Sequence, residues 1–384
     1  MRLDRVINIE DLRRQAKRRL PRIAFDFIEG GLEDEHGLER NEKAFLRHAL
    51  MPKYMVDVSK IDQSATLFGK TYASPFGIAP TGLAGLFRRG ADLMLAEAAA
   101  SANIPFFMSG ASTASIEEMA KVAPQHGAYQ LYGARDRKIS EDLIRRCRDA
   151  GFQTLMVTVD VPVTSKRERN IRNGFTRPLR MTIPTYAEAL LHPAWIVEYL
   201  SNGGMPVFSN WAAYAGANAR PEEIANYLAS QTPASDQTWR DFEMFRRLWP
   251  GKLIVKGIMR ADDAVRCVEI GAEGILVSNH GGRQLDRAPS PLEVLPGIRA
   301  AVRDRAVLLL DGGVRRGSDI LIAWALGARF VLVGRATLYG ASAYGLPGVK
   351  KAIAILQGEI ELVMKQMGCP SLDKLGADFL LDAE

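Results

Sequence analysis

Residues 278–286 read SNHGGRQLD, directly after the apolar run GILV. Histidine is the side chain whose unperturbed pKa best suits proton transfer near neutrality. His280 stands before a glycine pair, with Arg283 just beyond. Glycines permit a sharp turn with nothing bulky beside the imidazole. Arg283 can grip a carboxylate bidentately. Base and cation on one short loop would hold an anionic molecule at a fixed distance from the base. A second acid–base group is Asp160, in TLMVTVDVP (154–162). A carboxylate bonded to an imidazole fixes its tautomer and favours its protonated form. Taken alone, a strand-end aspartate serves equally well as a turn former.

The elements that must position these groups repeat along the chain. Apolar runs occur at 75–82, 105–112, 127–133, 154–162, 252–257, 274–282, 307–317 and 330–336, each ending in a polar or glycine-containing cluster. Continuous apolar runs suit strands buried on both faces of a parallel sheet. Helical patterns lie between them at 89–103, 115–124, 140–151, 260–272, 291–304 and 315–328. Acids open several of these and glycines close them, as helix starts and stops require. The alternation predicts an α/β fold, a (β/α)8 TIM barrel. A doubly wound open sheet is less favoured, because no GxGxxG follows the first strand.

One domain over 1–384 is expected. It divides into an N-terminal helical cap (1–70), a barrel core (71–337) and C-terminal helices (338–384) that cap the barrel bottom or supply its eighth helix. A long insertion after the fourth strand (161–235) breaks the rhythm, and 236–251 reads as the crossover helix. Long barrel loops usually serve as lids or binding elements. Its mixed-apolar part, 182–216, is expected to cover the site or pack on a neighbouring subunit; peripheral membrane contact is the alternative.

Composition is that of an ordinary globular chain, 47% hydrophobic and 24% charged. The net charge of +6 is scattered, apart from DLRRQAKRRLPR (11–22). That run reads as a solvated helix face, and no basic–aromatic interleaving points to nucleic acid. Three separated cysteines without a CxxC pair argue against a disulfide framework and suit a reducing cytoplasm. No signal peptide and no spanning helix are expected, nor is a metal site.

In such a barrel, chemistry gathers at the C-terminal strand ends. The residues there are Pro80, Thr81 and Gly82; Ser109; Gln130 and Tyr132; Thr158 and Asp160; Lys256; Ser278, His280 and Arg283; Asp311, Gly312, Gly313 and Arg315; and Gly334 and Arg335. DGGVRRG and GRA, at the seventh and eighth ends, suit a phosphate cradle of glycine-flanked N–H groups, a helix N-terminus and forked arginine donors. The plain alternative is tight turns with surface arginines. Lys256 would form a Schiff base or stabilise negative charge on a cofactor.

Taken in order, LPRIAFDFIEGGLEDE, APTG, QLYGARDR, MVTVDVP, LIVKG, SNHGGRQLD, DGGVRRG, ALGA and VGRATLYG resemble the motifs of the FMN-dependent α-hydroxy acid dehydrogenases and oxidases. SKRERNIRNGF (165–175), LHPAW and RRLWPGKLIVKG are nearest to the mandelate dehydrogenases of that family. The resemblance implies oxidation of a 2-hydroxy acid, of L or S configuration and lactate- or mandelate-like, to the 2-keto acid. His280 would be the base, oriented by Asp160. Arg283 and Arg167 would clamp the carboxylate, and Tyr132 would bond the reacting oxygen. Lys256 would stand beside the flavin N1 and C2 carbonyl, which demotes the Schiff-base reading. Pro80, Thr81 and Gly82 would face flavin N5. Ser109, Gln130, Thr158 and Ser278 would bond the ring or ribityl chain; Asp311, Gly313, Arg315, Gly334 and Arg335 would hold ribityl and phosphate.

Two positions depart from the family pattern. Phe27 stands where a tyrosine usually reaches the substrate carboxylate, implying weaker binding of ordinary hydroxy acids or a different substrate, unless it is simply core. Ala111 replaces a tryptophan common in oxidases, implying a roomier pocket. A substrate without the usual carboxylate anchor, or an FMN-dependent isomerase on the same barrel, is the alternative function. Oxygen, a quinone or a carrier protein would accept the electrons; no fused haem domain is expected, because the first helix begins close to residue 1. The family also implies a homotetramer, cytoplasmic or peripheral at the inner face of a membrane.

Overall fold

A computed structural model of the protein describes residues 1–175 and 182–382; positions 176–181 of the predicted insertion and the last two residues lie outside the described residues. Eight parallel strands close into a barrel: β1 (Phe76–Ile78), β2 (Phe106–Met108), β3 (Gly127–Tyr132), β4 (Thr154–Thr158), β5 (Lys252–Ile258), β6 (Gly274–Val277), β7 (Val307–Asp311) and β8 (Phe330–Val333). Each strand comes from one of the eight apolar runs. β1, β2, β6 and β8 are buried along their whole length. A coat of helices covers the outer face and the side-chain layers fill the inner one, so no position along these strands meets water.

The strand-to-helix turns carry their own punctuation. Ser115 and Ser290 each form a capping box with the glutamate three residues on, opening helices Ile116–Val122 and Pro291–Val302. After β8 the chain makes a short extra helix, Arg335–Tyr344, and then the long helix Leu346–Met367, which packs between Gly317–Ala325 and Ala91–Ser101 as the eighth outer helix.

The terminal segments are not wholly helical. His48–Leu50 pairs antiparallel with Leu380–Asp382, and Ala65–Leu67 with Lys70–Tyr72. Strands of three residues are defined by their partners, too short for a periodic pattern to announce them. The basic run also differs from a purely solvated face. In helix Ile9–Arg19, Leu12 and Ala16 are buried, while Arg13 pairs with Glu29 and Arg19 with Glu198.

The insertion is pinned to the barrel mouth. Trp195 Nε1 donates to Leu86 O at 2.8 Å, and Trp211 Nε1 to Gly110 O at 2.8 Å. Its helices Ile183–Leu190 and Pro193–Ser201 and the turn between them leave Ile183, Leu190, Leu191, Val197 and Leu200 exposed. No described helix is long and apolar enough to cross a membrane.

Candidate active site

β6 ends at Val277, and the chain reverses sharply. His280, Gly281 and Gly282 take φ values of +60°, +65° and +74°. Two glycines make this left-handed run affordable, and Gly282 also lies so close to helix His36–Lys43 that a Cβ would come 2.5 Å from Leu38 N. His280 itself carries a side chain in this region, an outlier of the kind that gathers at functional sites. Ser278 Oγ accepts from the His280 N–H at 3.0 Å and from Lys256 Nζ at 2.8 Å.

The reversal sets the imidazole between two strand ends. His280 Nδ1 lies 3.0 Å from Asp160 Oδ1, and Nε2 lies 3.5 Å from Tyr132 Oη. An ionised carboxylate only accepts, so Nδ1 carries the hydrogen and Nε2 presents a lone pair. Asp160 can stand this close because β5 bulges between Lys256 and Ile258. At the bulge Gly257 has φ +101°, and a Cβ there would meet Asp160 Cβ at 2.4 Å.

Charge balance fixes the protonation states. Burial pushes His280 down and outweighs Asp160, so the ring is held below its ordinary value and is neutral. Burial pushes the Asp160 carboxyl up, but Lys256 and His280 outweigh it and hold it below the usual range. Burial would discharge Lys256; Asp160 at 3.8 Å and Asp311 at 3.5 Å reverse this and hold it above its ordinary value. A Schiff base needs a neutral amine, so this firmly cationic lysine suits charge stabilisation instead. Burial raises Tyr132, which keeps its hydroxyl proton.

The adjoining strand ends carry polar groups that the chain itself leaves unsatisfied. Gln130 Oε1 lies 3.4 Å from Ser109 Oγ and accepts from Gly110 N–H at 3.2 Å. Gln130 Nε2, Thr158 Oγ1 and Asp311 Oδ1 are buried without a hydrogen-bond partner. The register places Tyr132, Thr158 and Lys256 side by side across β3, β4 and β5. Each unsatisfied buried group costs about 1–3 kcal/mol. A flat ring with heteroatoms along its edge would satisfy this row, and the donor and acceptor set fits FMN. At the other rim, Gly334 opens helix Arg335–Tyr344 beside Thr81 and Ala79, and Gly82 lies against Ala111. A helix N-terminus there favours an anion.

Not every predicted cradle residue stands free for a ligand. Gly313 packs on the backbone of Asn41, so its missing Cβ is required first by the chain itself. Arg315 Nη2 donates to Glu42 Oε1 at 2.8 Å. Arg335 donates to Ile28 O (2.9 Å), Gly281 O (3.2 Å) and Gly30 O (3.2 Å). Pro80, Thr81 and Gly82 form the loop after β1, as expected from their position.

The two arginines expected to clamp a carboxylate both lie against Phe27. The Arg283 guanidinium lies 5.2 Å from the Phe27 ring centre and that of Arg167 6.0 Å from it. Phe27 packs on Phe175 at 4.6 Å and Phe87 at 6.1 Å. The ring is thus a contact shared by both cations and an apolar wall, a cation–π arrangement where a tyrosine would have brought a hydroxyl.

Residue types alone missed the supports. The carbonyls of Ile28 and Gly30 hold Arg283 as well as Arg335. The side-chain amides of Asn41 and Asn279 pair at 2.8 Å and tie the SNHGG loop to the N-terminal segment. Asn279, inside the motif, was the only signal available for this pair; backbone acceptors leave none.

The arrangement has known counterparts. A family model described as FMN-dependent dehydrogenase matches residues 16–382. The chain is 40% identical over 375 residues to the (S)-mandelate dehydrogenase of Pseudomonas putida, covering 98% of this chain and 94% of that one. It is 37% identical over 370 residues to an L-lactate dehydrogenase of a Caulobacter species, covering 96% and 97%. A crystal structure of (S)-mandelate dehydrogenase, described as a monotopic membrane protein, superposes with a TM-score of 0.94 at 40% identity, over 99% of this chain and 100% of that one. With the barrel, its unsatisfied strand-end groups and near full-length similarity in agreement, the chain belongs to the FMN-dependent dehydrogenase family, and FMN is its cofactor.

Proposed function

We propose that the protein oxidises an (S)-2-hydroxy acid bearing a bulky or aromatic side chain, as in mandelate, to the 2-keto acid, with lactate a smaller substrate of the same kind. The observation that carries this reading is the His280–Asp160 pair at 3.0 Å with Arg283 and Arg167 gathered around Phe27. Arg283 and Arg167 hold the carboxylate, and the Tyr132 hydroxyl bonds the reacting oxygen. His280 Nε2 takes a proton from the substrate, and Asp160 stabilises the resulting imidazolium. Bound FMN would supply the acceptor for the two electrons and for the second hydrogen that leaves the substrate.

The residues that would hold FMN are assigned from their places at the strand ends and from the family resemblance. Pro80, Thr81 and Gly82, in the loop after β1, would contact the ring. Ser109, Gln130, Thr158, Lys256 and Ser278 would bond its edge and the ribityl chain, with Lys256 offsetting negative charge there. Asp311, Gly313, Arg315, Gly334 and Arg335 would hold ribityl and phosphate, Arg335 while seated on the Ile28, Gly30 and Gly281 carbonyls. The aromatic group Phe27, Phe87 and Phe175, with small Ala111, supports a bulky substrate side chain.

The exposed apolar residues of 183–200 support peripheral contact with a membrane face and a quinone there as electron acceptor, with oxygen or a carrier protein the other choices. A homotetramer is the assembly proposed. Anaerobic mixing with a panel from lactate to mandelate tests the reading. Bleaching of the flavin by a 2-hydroxy acid supports it; an FMN-dependent isomerase would leave the flavin oxidised. Reoxidation in air then separates oxidase from dehydrogenase.

A further inference from the structure

Glu29 occupies the last turn of helix Arg22–Glu29, the end where the helix dipole disfavours an acid. It is also mostly buried, its side chain 16% exposed. Its two oxygens are fully used. Arg13 donates to Oε1 through Nε at 2.7 Å and lies 2.5 Å from it through Nη2. The Tyr339 hydroxyl donates to Oε2 at 2.7 Å. Tyr339 lies one turn beyond Arg335 on helix Arg335–Tyr344.

The residues on either side of Glu29 explain why an acid belongs there. Ile28 O accepts from Arg335 Nε at 2.9 Å and from Arg283 Nη1 at 3.4 Å. Gly30 O accepts from Arg335 Nη2 at 3.2 Å and from Arg283 Nη1 at 2.7 Å. Two buried cations, one read as the substrate clamp and one as a phosphate ligand, therefore hang on the same pair of carbonyls. Like charges this close repel in a low-dielectric site. The helix end supplies orphan carbonyls to them; of the two acids on that turn, Asp26 faces Arg22, Arg169 and Asn173, whereas Glu29 faces Arg13 and Tyr339, on the side of helix Arg335–Tyr344.

We propose that Glu29 is a positioning residue for both anion sites: through Arg13 and Tyr339 it locks the turn whose carbonyls seat Arg283 and Arg335, coupling the substrate clamp to the cofactor-phosphate cradle. This rests on the reading of Arg283 and Arg335 given above. Glu29 touches neither substrate nor cofactor; it acts by holding the arginines.

The test uses the full chain, flavin-stripped and titrated with FMN, with quenching of flavin fluorescence reporting the dissociation constant. KM and kcat for the 2-hydroxy acid are then measured at saturating FMN. Glu29→Gln removes the charge at constant shape. It is expected to raise both the FMN dissociation constant and KM about tenfold, the scale of one lost charge-assisted contact, while kcat stays within about threefold. Glu29→Asp should recover part of both losses. Tyr339→Phe removes one hydroxyl and keeps the charge; it should move both constants the same way by less, and it preserves the test if Glu29→Gln does not fold. Both constants staying within about twofold while the melting temperature falls would make the role merely structural and overturn the proposal. Movement of one constant alone would refute the coupling. Arg283→Met separates the two levels: an unchanged KM there sinks the clamp reading, whereas a raised KM beside an unresponsive Glu29→Gln sinks only the present inference.

Discussion

Replacing Asp160 by asparagine keeps the shape of the side chain and removes its charge. Asp160 Oδ1 stands 3.0 Å from His280 Nδ1. Once His280 takes a proton, the two become opposite unit charges, attracted by roughly 5.5 kcal/mol at an effective dielectric constant of about 20. Two effects reduce the loss. Lys256 Nζ, 3.8 Å from Asp160 Oδ2, already offsets part of that charge. The amide oxygen of asparagine can still accept the Nδ1 hydrogen bond, worth about 1 kcal/mol. A net loss of about 3–5 kcal/mol remains, which corresponds to roughly 10²–10⁴ in rate. Asp160 is not among the proposed cofactor-holding residues and Lys256 keeps Asp311 at 3.5 Å as an anionic partner, so flavin content should not change. Anaerobic stopped-flow mixing with saturating 2-hydroxy acid, followed by flavin bleaching, measures the step directly. KM should stay near the wild-type value, because Asp160 does not hold the carboxylate. A flavin-replete variant that bleaches within about tenfold of the wild-type rate would refute the pairing as the source of base strength.

Phe27→Tyr returns a hydroxyl beside both arginines; KM for lactate and mandelate should fall about tenfold with kcat unchanged, and a flat response in steady-state kinetics would show that the ring serves only packing. Burial holds His280 below its ordinary value of about 6.5. The base is therefore lost only as pH falls beneath that value, so the acid limb of kcat/KM should have its midpoint below about 6.5; a midpoint near 7.5 would contradict the burial argument. The same sign governs stability, since the unfolded chain takes up the proton first: the His280 contribution is present above about pH 6.5 and declines below it. Adding FMN to flavin-stripped protein at about a hundredfold over its dissociation constant should stabilise the fold by about 2.7 kcal/mol, read as a rise in melting temperature; no rise would count against the flavin-edge residues. Leu190→Ser with Leu191→Ser should reduce co-sedimentation with anionic lipid vesicles while leaving hydroxy-acid kinetics unchanged; undiminished co-sedimentation would move the contact elsewhere.

The barrel was legible because its strands are buried on both faces. GILV, FVLV and their fellows must be continuous apolar runs, and each ends in the groups that face the mouth. The site followed from the same fact: once eight strands are parallel and closed, Tyr132, Asp160, Lys256 and His280 have to share one rim. What the sequence withheld depends on contacts between distant segments. The strand pair His48–Leu50 with Leu380–Asp382 exists only because the fold brings the two ends of the chain together. The basic run at 11–22 carries no mark that Arg13 faces Glu29 and Arg19 faces Glu198. Glycine at 313 suggested an approaching anion, whereas the first neighbour it must admit is the backbone of Asn41.

Residue type and order thus determined the architecture and, through the family resemblance, the cofactor class, and they nominated the reacting groups. Tertiary structure alone decided how they are held: which carbonyls seat the arginines, which carboxylates keep Lys256 charged, and how far burial outweighs Asp160 at His280. The physical reason is range. Hydrophobic periodicity is a local property of the chain, while hydrogen bonds and charge balance are set over a few ångströms between residues that can lie three hundred positions apart.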